Sequence, residues 1–347
     1  MRQFFLALSF IVVSLVFAED AAYFDPSWVG SSAAMIRRAY IQGFSPYASS
    51  VFENPAALHR TSRLSTSLFS TTIAQENLYY NAALSLRLKR GVVGFGLMSL
   101  GVDDIGKTDL DGMNEIYETG ESYQFKNYLM KSAYQFSFLD HVHLGAALTF
   151  AKINMDTVDA FGWNADLGFL YEREVFDISL TLKNIFDNRL NFKDTETLLI
   201  TGGNNSSEGK TEYFRPSWIL SGRYQWRDIS FFSQFEYLSK DSFFNRHYAI
   251  EYNPSYFSFL TLSMGFSELH NPQNVMTASD IKSFFEDTSK TSIGVNDFVD
   301  NAAYVKALTY GVGLNILGVN FDYAFEQGSH VESSLKDRHY FSINLYF

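Results

Sequence analysis

The sequence predicts an all-β fold, a transmembrane antiparallel β-barrel of about 14 strands with an N-terminal luminal hatch. Three observations carry this expectation. Period-2 alternation recurs from residue 63 onward, the connections between the alternating segments are tight and loose by turns, and the chain closes on an alternating strand, Lys336 to Phe347. That strand places Phe341, Ile343, Leu345 and Phe347 on one face and Tyr340, Ser342, Asn344 and Tyr346 on the other. A closing strand pairs with the first one, because unpaired backbone N–H and C=O groups find no water in lipid.

The elements follow in chain order. Arg2, an apolar run from Phe4 to Phe17, small residues around Val16-Phe17-Ala18 and acidic Glu19-Asp20 predict a secretory signal peptide over residues 1–18. Its apolar stretch falls short of the roughly 18 residues of a transmembrane helix, and no other segment comes near that length. Residues 19–62 show no clear alternation and are assigned to the hatch; residues 63–347 are assigned to the barrel.

Fourteen alternating segments are placed at 63–71, 77–89, 91–101, 122–139, 141–155, 160–174, 175–187, 212–226, 228–238, 246–252, 255–267, 304–317, 319–326 and 338–347. The cleanest runs from Phe161 to Tyr171, apolar at odd positions and mostly Gly, Asn or Asp at even ones. Tight connections fall at Arg90, Asp140, Glu174/Val175, Arg227, Asn253-Pro254 and Gly318; loose ones include 102–121, 188–211, 268–303 and 327–337. Short turns on one side and long loops on the other are the barrel signature, and an even strand number puts both ends on the short-turn, periplasmic side.

Composition agrees. The chain has 34 Phe and 21 Tyr among 347 residues, only 6 Pro and no Cys, so stability rests on a closed hydrogen-bond network rather than on disulfides. A net charge of -11 argues against a nucleic-acid partner, whose phosphates require a basic surface. Tyr79, Tyr80, Tyr128, Trp163, Tyr171, Trp218, Trp226, Tyr237 and Tyr346 fall mainly toward strand ends, as interfacial girdles require. The expected location is the bacterial outer membrane, with its lipids as partners.

Within the hatch stands Ala48-Ser-Ser-Val51-Phe52-Glu-Asn54-Pro55-Ala56-Ala57-Leu58. With Ala165–Tyr171, Leu180–Ile185 and Tyr310–Ala324, in that order and spacing, this pattern resembles the FadL superfamily of outer-membrane transporters, and is more similar still to its PorV/PorQ branch. Ala57 stands where that family carries Gly. The resemblance implies a hatch motif at Asn54, Pro55 and Ala56. It implies either uptake of hydrophobic small molecules or a place in a protein secretion and surface-attachment machine; a general diffusion pore is a third reading, disfavoured by the plug.

Candidate lumen residues are Phe232, Phe257 and Phe259, which either line a path for an apolar ligand or pack on the hatch. A Ser279-capped stretch with Ile281, Phe284 and Phe285 at helical spacing is a candidate docking loop for such a ligand, or a cover for the barrel rim. The acidic run 103–115 has Ca²⁺-like spacing but lacks a complete binding loop. His141 and His143 share a strand face with no visible third ligand, so no metal is expected. No nucleophile elbow, zinc-protease motif, phosphate loop or cysteine is present, and neither enzymatic activity nor a cofactor is predicted.

Overall fold

Closure of the sheet on itself removes the free edge that a bilayer would penalise. The computed structural model describes residues 25–73, 77–110, 116–155, 158–194, 211–239, 243–270, 304–328 and 337–347. The strands are β1 (Leu64–Ile73), β2 (Asn77–Leu88), β3 (Gly91–Leu110), β4 (Ile116–Leu139), β5 (Val142–Met155), β6 (Val158–Glu172), β7 (Phe176–Lys183), β8 (Arg189–Asp194), β9 (Thr211–Tyr213), β10 (Ser217–Trp226), β11 (Ile229–Leu238), β12 (Phe243–Tyr252), β13 (Leu260–His270), β14 (Tyr304–Ile316), β15 (Val319–Gly328) and β16 (Arg338–Tyr346). Strands β1–β7 and β10–β16 form a closed, antiparallel 14-strand barrel, with β7 beside β10. The predicted seam is where the ring shuts: β1 pairs with β16 from Ser65↔Tyr346 to Ser70↔Phe341.

Alternation sets the two faces. In β6, Phe161, Trp163 and Leu167 point outward while Gly162, Asn164, Asp166 and Gly168 are buried. Around the ring the outer face carries Phe95, Met130, Leu148, Leu220, Ile250, Met264 and Ile343, all exposed. An apolar surface of this extent is incompatible with water and suits a hydrocarbon layer. Among the described residues no helix is long and apolar enough to cross a membrane.

Three boundaries differ most from expectation, each for a local reason. The predicted loose loop 102–121 is largely strand, because β3 and β4 continue through register shifts at Val102/Ile105 and Gly106/Thr108, with Asp104 at φ 55°. The segment predicted at 212–226 is broken at Pro216, which has no N–H for the ladder; β10 starts after it, while β9 pairs with β8, and β8 with the far end of β6. The segment predicted from 255 starts only at Leu260, since Pro254 leads into a 3₁₀ turn over Ser255–Phe257. Elsewhere the tight turns fall as predicted, Leu317 (φ 52°) and Gly318 (φ 83°) both adopting the positive angles of a type I′ hairpin.

Residues 25–62 lie inside the ring. They form a 3₁₀ turn at Pro26–Val29, short helices α1 (Ala33–Ile36) and α2 (Ser50–Glu53), and a 3₁₀ helix over Pro55–Arg60. Ser32 caps α1 by accepting from Met35 N–H at 3.1 Å. Ala33, Met35, Ile36, Val51, Phe52 and Leu58 pack with Phe69, Tyr79, Met98, Leu129 and Tyr340 of the wall into the main apolar core.

Candidate functional site

The described lumen is a contact zone between this N-terminal segment and the inward faces of the strands. Asn54, Pro55 and Ala56 sit where β5 and β6 both present glycine: Gly145 and Gly168 are cross-strand partners. A Cβ on Gly145 would collide with the backbone of Pro55 and Ala56, and one on Gly168 with Asn54 Oδ1, so only glycine admits this approach. Asn54 caps the following 3₁₀ helix by accepting from Ala56 N–H at 2.9 Å. Its amide group donates to Ser179 Oγ at 2.7 Å, and to the carbonyls of Phe169 (3.2 Å) and Leu180 (3.3 Å). The residue thus joins its own helix to β6 and β7 at once.

Charged pairs hold the segment elsewhere. Arg37, 7% exposed at its side chain, meets Glu251 Oε2 of β12 at 2.5 Å and Asp322 Oδ1 of β15 at 3.3 Å. Burial works against the Arg37 charge, but the two carboxylates outweigh it and its pKa rises. Tyr40 donates to Glu326 of β15 at 2.8 Å, which also accepts from Tyr340 of β16. Gln42 N–H donates to Gln234 of β11 at 2.8 Å. Arg60 binds Glu172 of β6 at 2.5 Å and Asp177 of β7 at 2.6 Å, and Arg223 of β10 shares Asp177. Within the segment, burial raises the pKa of Glu53, against a 2.7 Å hydrogen bond from Ser31.

The predicted lumen aromatics divide. Phe232 is 5% exposed, faces inward, and packs on Phe44 (centroids 5.7 Å apart) and under Arg38. It belongs to a small apolar cluster with Ile41, Phe44, Ala56, Ala57, Leu170 and Ala249. Phe257 and Phe259 do not line the lumen. They are 57% and 46% exposed and stack edge-to-face on each other in the connection before β13, because the 3₁₀ turn after Pro254 takes them out of the strand. Tyr79 is likewise no girdle residue; it points inward, fully buried, and donates to Gly30 C=O at 2.9 Å. Ile281, Phe284 and Phe285 lie outside the described residues.

One group of side chains escaped sequence reading. His59, at the end of the 3₁₀ helix, stacks on His143 of β5 with centroids 3.5 Å apart, and both face Glu172 of β6. Among the described residues this is the one group of three His or acidic side chains whose possible ligand atoms lie within 4.8 Å of one another, but the two rings are stacked nearly parallel and their lone pairs do not converge. His141, expected on one strand face with His143, is instead exposed in the turn and takes no part. Burial, then the nearby His143, lowers the pKa of His59 to about 4, so its imidazole is neutral at pH 7.

This arrangement defines a class: a closed 14-strand β-barrel whose lumen is occupied by its own N-terminal segment. Comparison with solved structures finds the barrel fold in known proteins. The chain is similar to a Pseudomonas aeruginosa FadL homologue (TM-score 0.51, 11% identity, 90% of this chain and 97% of that chain covered). It is similar to the Ralstonia pickettii toluene transporter TbuX (0.52, 11%, 91% and 98%) and the Pseudomonas putida toluene transporter TodX (0.52, 11%, 94% and 97%). No protein-family model matches the sequence, and no curated protein matches it. None of these comparisons points to the PorV/PorQ branch.

Proposed function

We propose that the protein resides in the outer membrane and takes up small hydrophobic molecules, with residues 19–62 acting as a hatch and 63–347 as the barrel. The observation that carries this reading is the filled lumen: the N-terminal segment bonds to β6, β7, β11, β12 and β15, which argues against a permanently open aqueous pore. The fold it shares with two toluene transporters supports an apolar cargo, and the cluster of Phe44, Phe232 and Leu170 supplies apolar surface where the segment meets the wall. Export through a cleaved signal peptide over residues 1–18 belongs to the same reading, as does a docking role for Ile281, Phe284 and Phe285. Beyond the motif resemblance in the sequence, no described residue or comparison favours a secretion-machine role.

Native mass spectrometry with solvent extraction, on the barrel purified from its own membrane, tests the proposal. A near-stoichiometric fatty acid or aromatic hydrocarbon is expected. An empty barrel that co-purifies with secreted proteins, or that conducts ions freely in a planar bilayer, would overturn it.

A further inference from the structure

We propose that His59, His143 and Glu172 form an acid-operated clasp, which holds the end of the N-terminal segment to the barrel wall at neutral pH and releases it as the pH falls. The three residues come from three elements: the 3₁₀ helix over Pro55–Arg60, the start of β5, and the end of β6. The two imidazoles lie face to face, with centroids 3.5 Å apart and planes 12° from parallel. Glu172 Oε2 lies 3.1 Å from His143 Nε2 and 3.6 Å from His59 Nε2. Neutral rings stacked in this way attract, whereas two imidazolium ions in the same place repel.

The two rings are served unequally. His143, 1% exposed, faces Glu172 with Nε2 and Ser137 Oγ of β4, 2.9 Å away, with Nδ1. A single proton, on Nε2, suits both contacts, so a neutral His143 is complete. His59 reaches the same two partners only at 3.6 Å and 3.4 Å, and its side chain is 32% exposed. It is the looser ring and the one open to protons from water.

The surrounding charges leave no carboxylate to spare for a charged pair of rings. Glu172 Oε1 is taken by Arg60 at 2.5 Å, and Asp177 of β7 by Arg60 and by Arg223 of β10, each at 2.6 Å. Arg87 of β2 adds a third guanidinium, donating to the carbonyl of His59 at 2.5 Å. Asp140 and His141, in the turn before β5, are exposed to solvent. Three arginines therefore face two carboxylates before either imidazole takes a proton. Burial first, then His143, with Arg87 and Arg60 behind them, hold the pKa of His59 at about 4 against the pull of Glu172. A histidine in water titrates at about 6.5, so the seated form gives up stability as the pH falls from about 6.5 to about 4. His59 ends the helix that Asn54 caps, and its departure draws Arg60 away from Glu172 and Asp177. The clasp works on the seating of the segment, whatever passes through the barrel.

The test is single-barrel conductance of the full-length protein in planar bilayers as a function of pH. The ratio of open to closed time should rise about a hundredfold between pH 7 and about pH 4, the factor set by a pKa of about 4 in the seated form and about 6.5 in the released one. His59→Phe keeps a flat ring on His143 but takes up no proton, and should cut the rise to less than about tenfold, while His141→Ala keeps the full rise. The heat-dependent gel mobility of each variant reports whether its barrel is intact, and the acid response of the wild type needs no variant. A wild-type conductance that does not change with pH, or an equal rise in His59→Phe, would overturn the clasp.

Discussion

Two neighbouring side chains in β6 show how finely the wall separates its environments. Leu167 is outward and Asp166 inward, 2% exposed, ion-paired to Lys131 of β4 and accepting from Asn184 N–H at 2.9 Å. Leu167→Arg should cost about 2–4 kcal/mol at mid-membrane depth. The alternation alone suggests that Arg at the lumen position would be tolerated, but the Lys131 pairing contradicts that: Asp166→Arg sets two cations together in a buried site. Even Asp166→Asn strands the lysine and should cost about 3–5 kcal/mol, whereas Asp166→Leu with Lys131→Met should recover most of it. Urea titration of the refolded barrel in lipid vesicles checks the ranking; a neutral Asp166→Asn would show that the pair is hydrated. Faces of this kind were legible in the sequence because period 2 is a property of the backbone. Partners were not: nothing local marks Tyr79 as reaching Gly30, or His143 as lying against His59 and Glu172, since each contact joins elements remote in sequence.

At the scale of elements, glycines of the wall admit the N-terminal segment at several places, and the pair on β5 and β6 seats Asn54, Pro55 and Ala56. Gly168→Val places a branched side chain where Asn54 sits, while leaving the ladder hydrogen bonds of β6 available. The expected outcome is an intact, heat-modifiable barrel whose N-terminal segment becomes open to trypsin; a segment protected as in the wild type would show that the seat is elsewhere. Asn-Pro-Ala was readable as a motif, since Asn caps and Pro begins a helical turn, but its glycine seat was not, because glycines in strands serve many ends. Strand ends were missed where the period-2 signal itself disappears. Beyond Val102, Asp103 and Asp104 are both exposed, so the strand carries no alternation to read. At Phe257 and Phe259 the alternation persists in the sequence although Pro254 has already ended the extended backbone.

The whole molecule balances a wall that needs no partner against a lumen that does. All fourteen ladders close without the N-terminal segment, whereas that segment buries its apolar side chains largely against the barrel wall. Deleting residues 25–62 should therefore leave the ring assembled and flood it, letting Glu251 and Asp322 regain water in place of Arg37. The point change Arg37→Ala should be worse for those two carboxylates: the segment still covers them, and only Arg38, 3.9 Å from Glu251, remains to offset two buried negative charges, at a cost of about 3–5 kcal/mol. In planar bilayers the deletion should give large, steady conductance steps against a closed wild type. Arg37→Ala should instead flicker, because expelling the segment is then the easiest way to hydrate both carboxylates. A deletion variant that fails to assemble would mean that the segment is part of the folding core. Steady closure of Arg37→Ala would place the main hold on the segment at Asn54 and Arg60 instead.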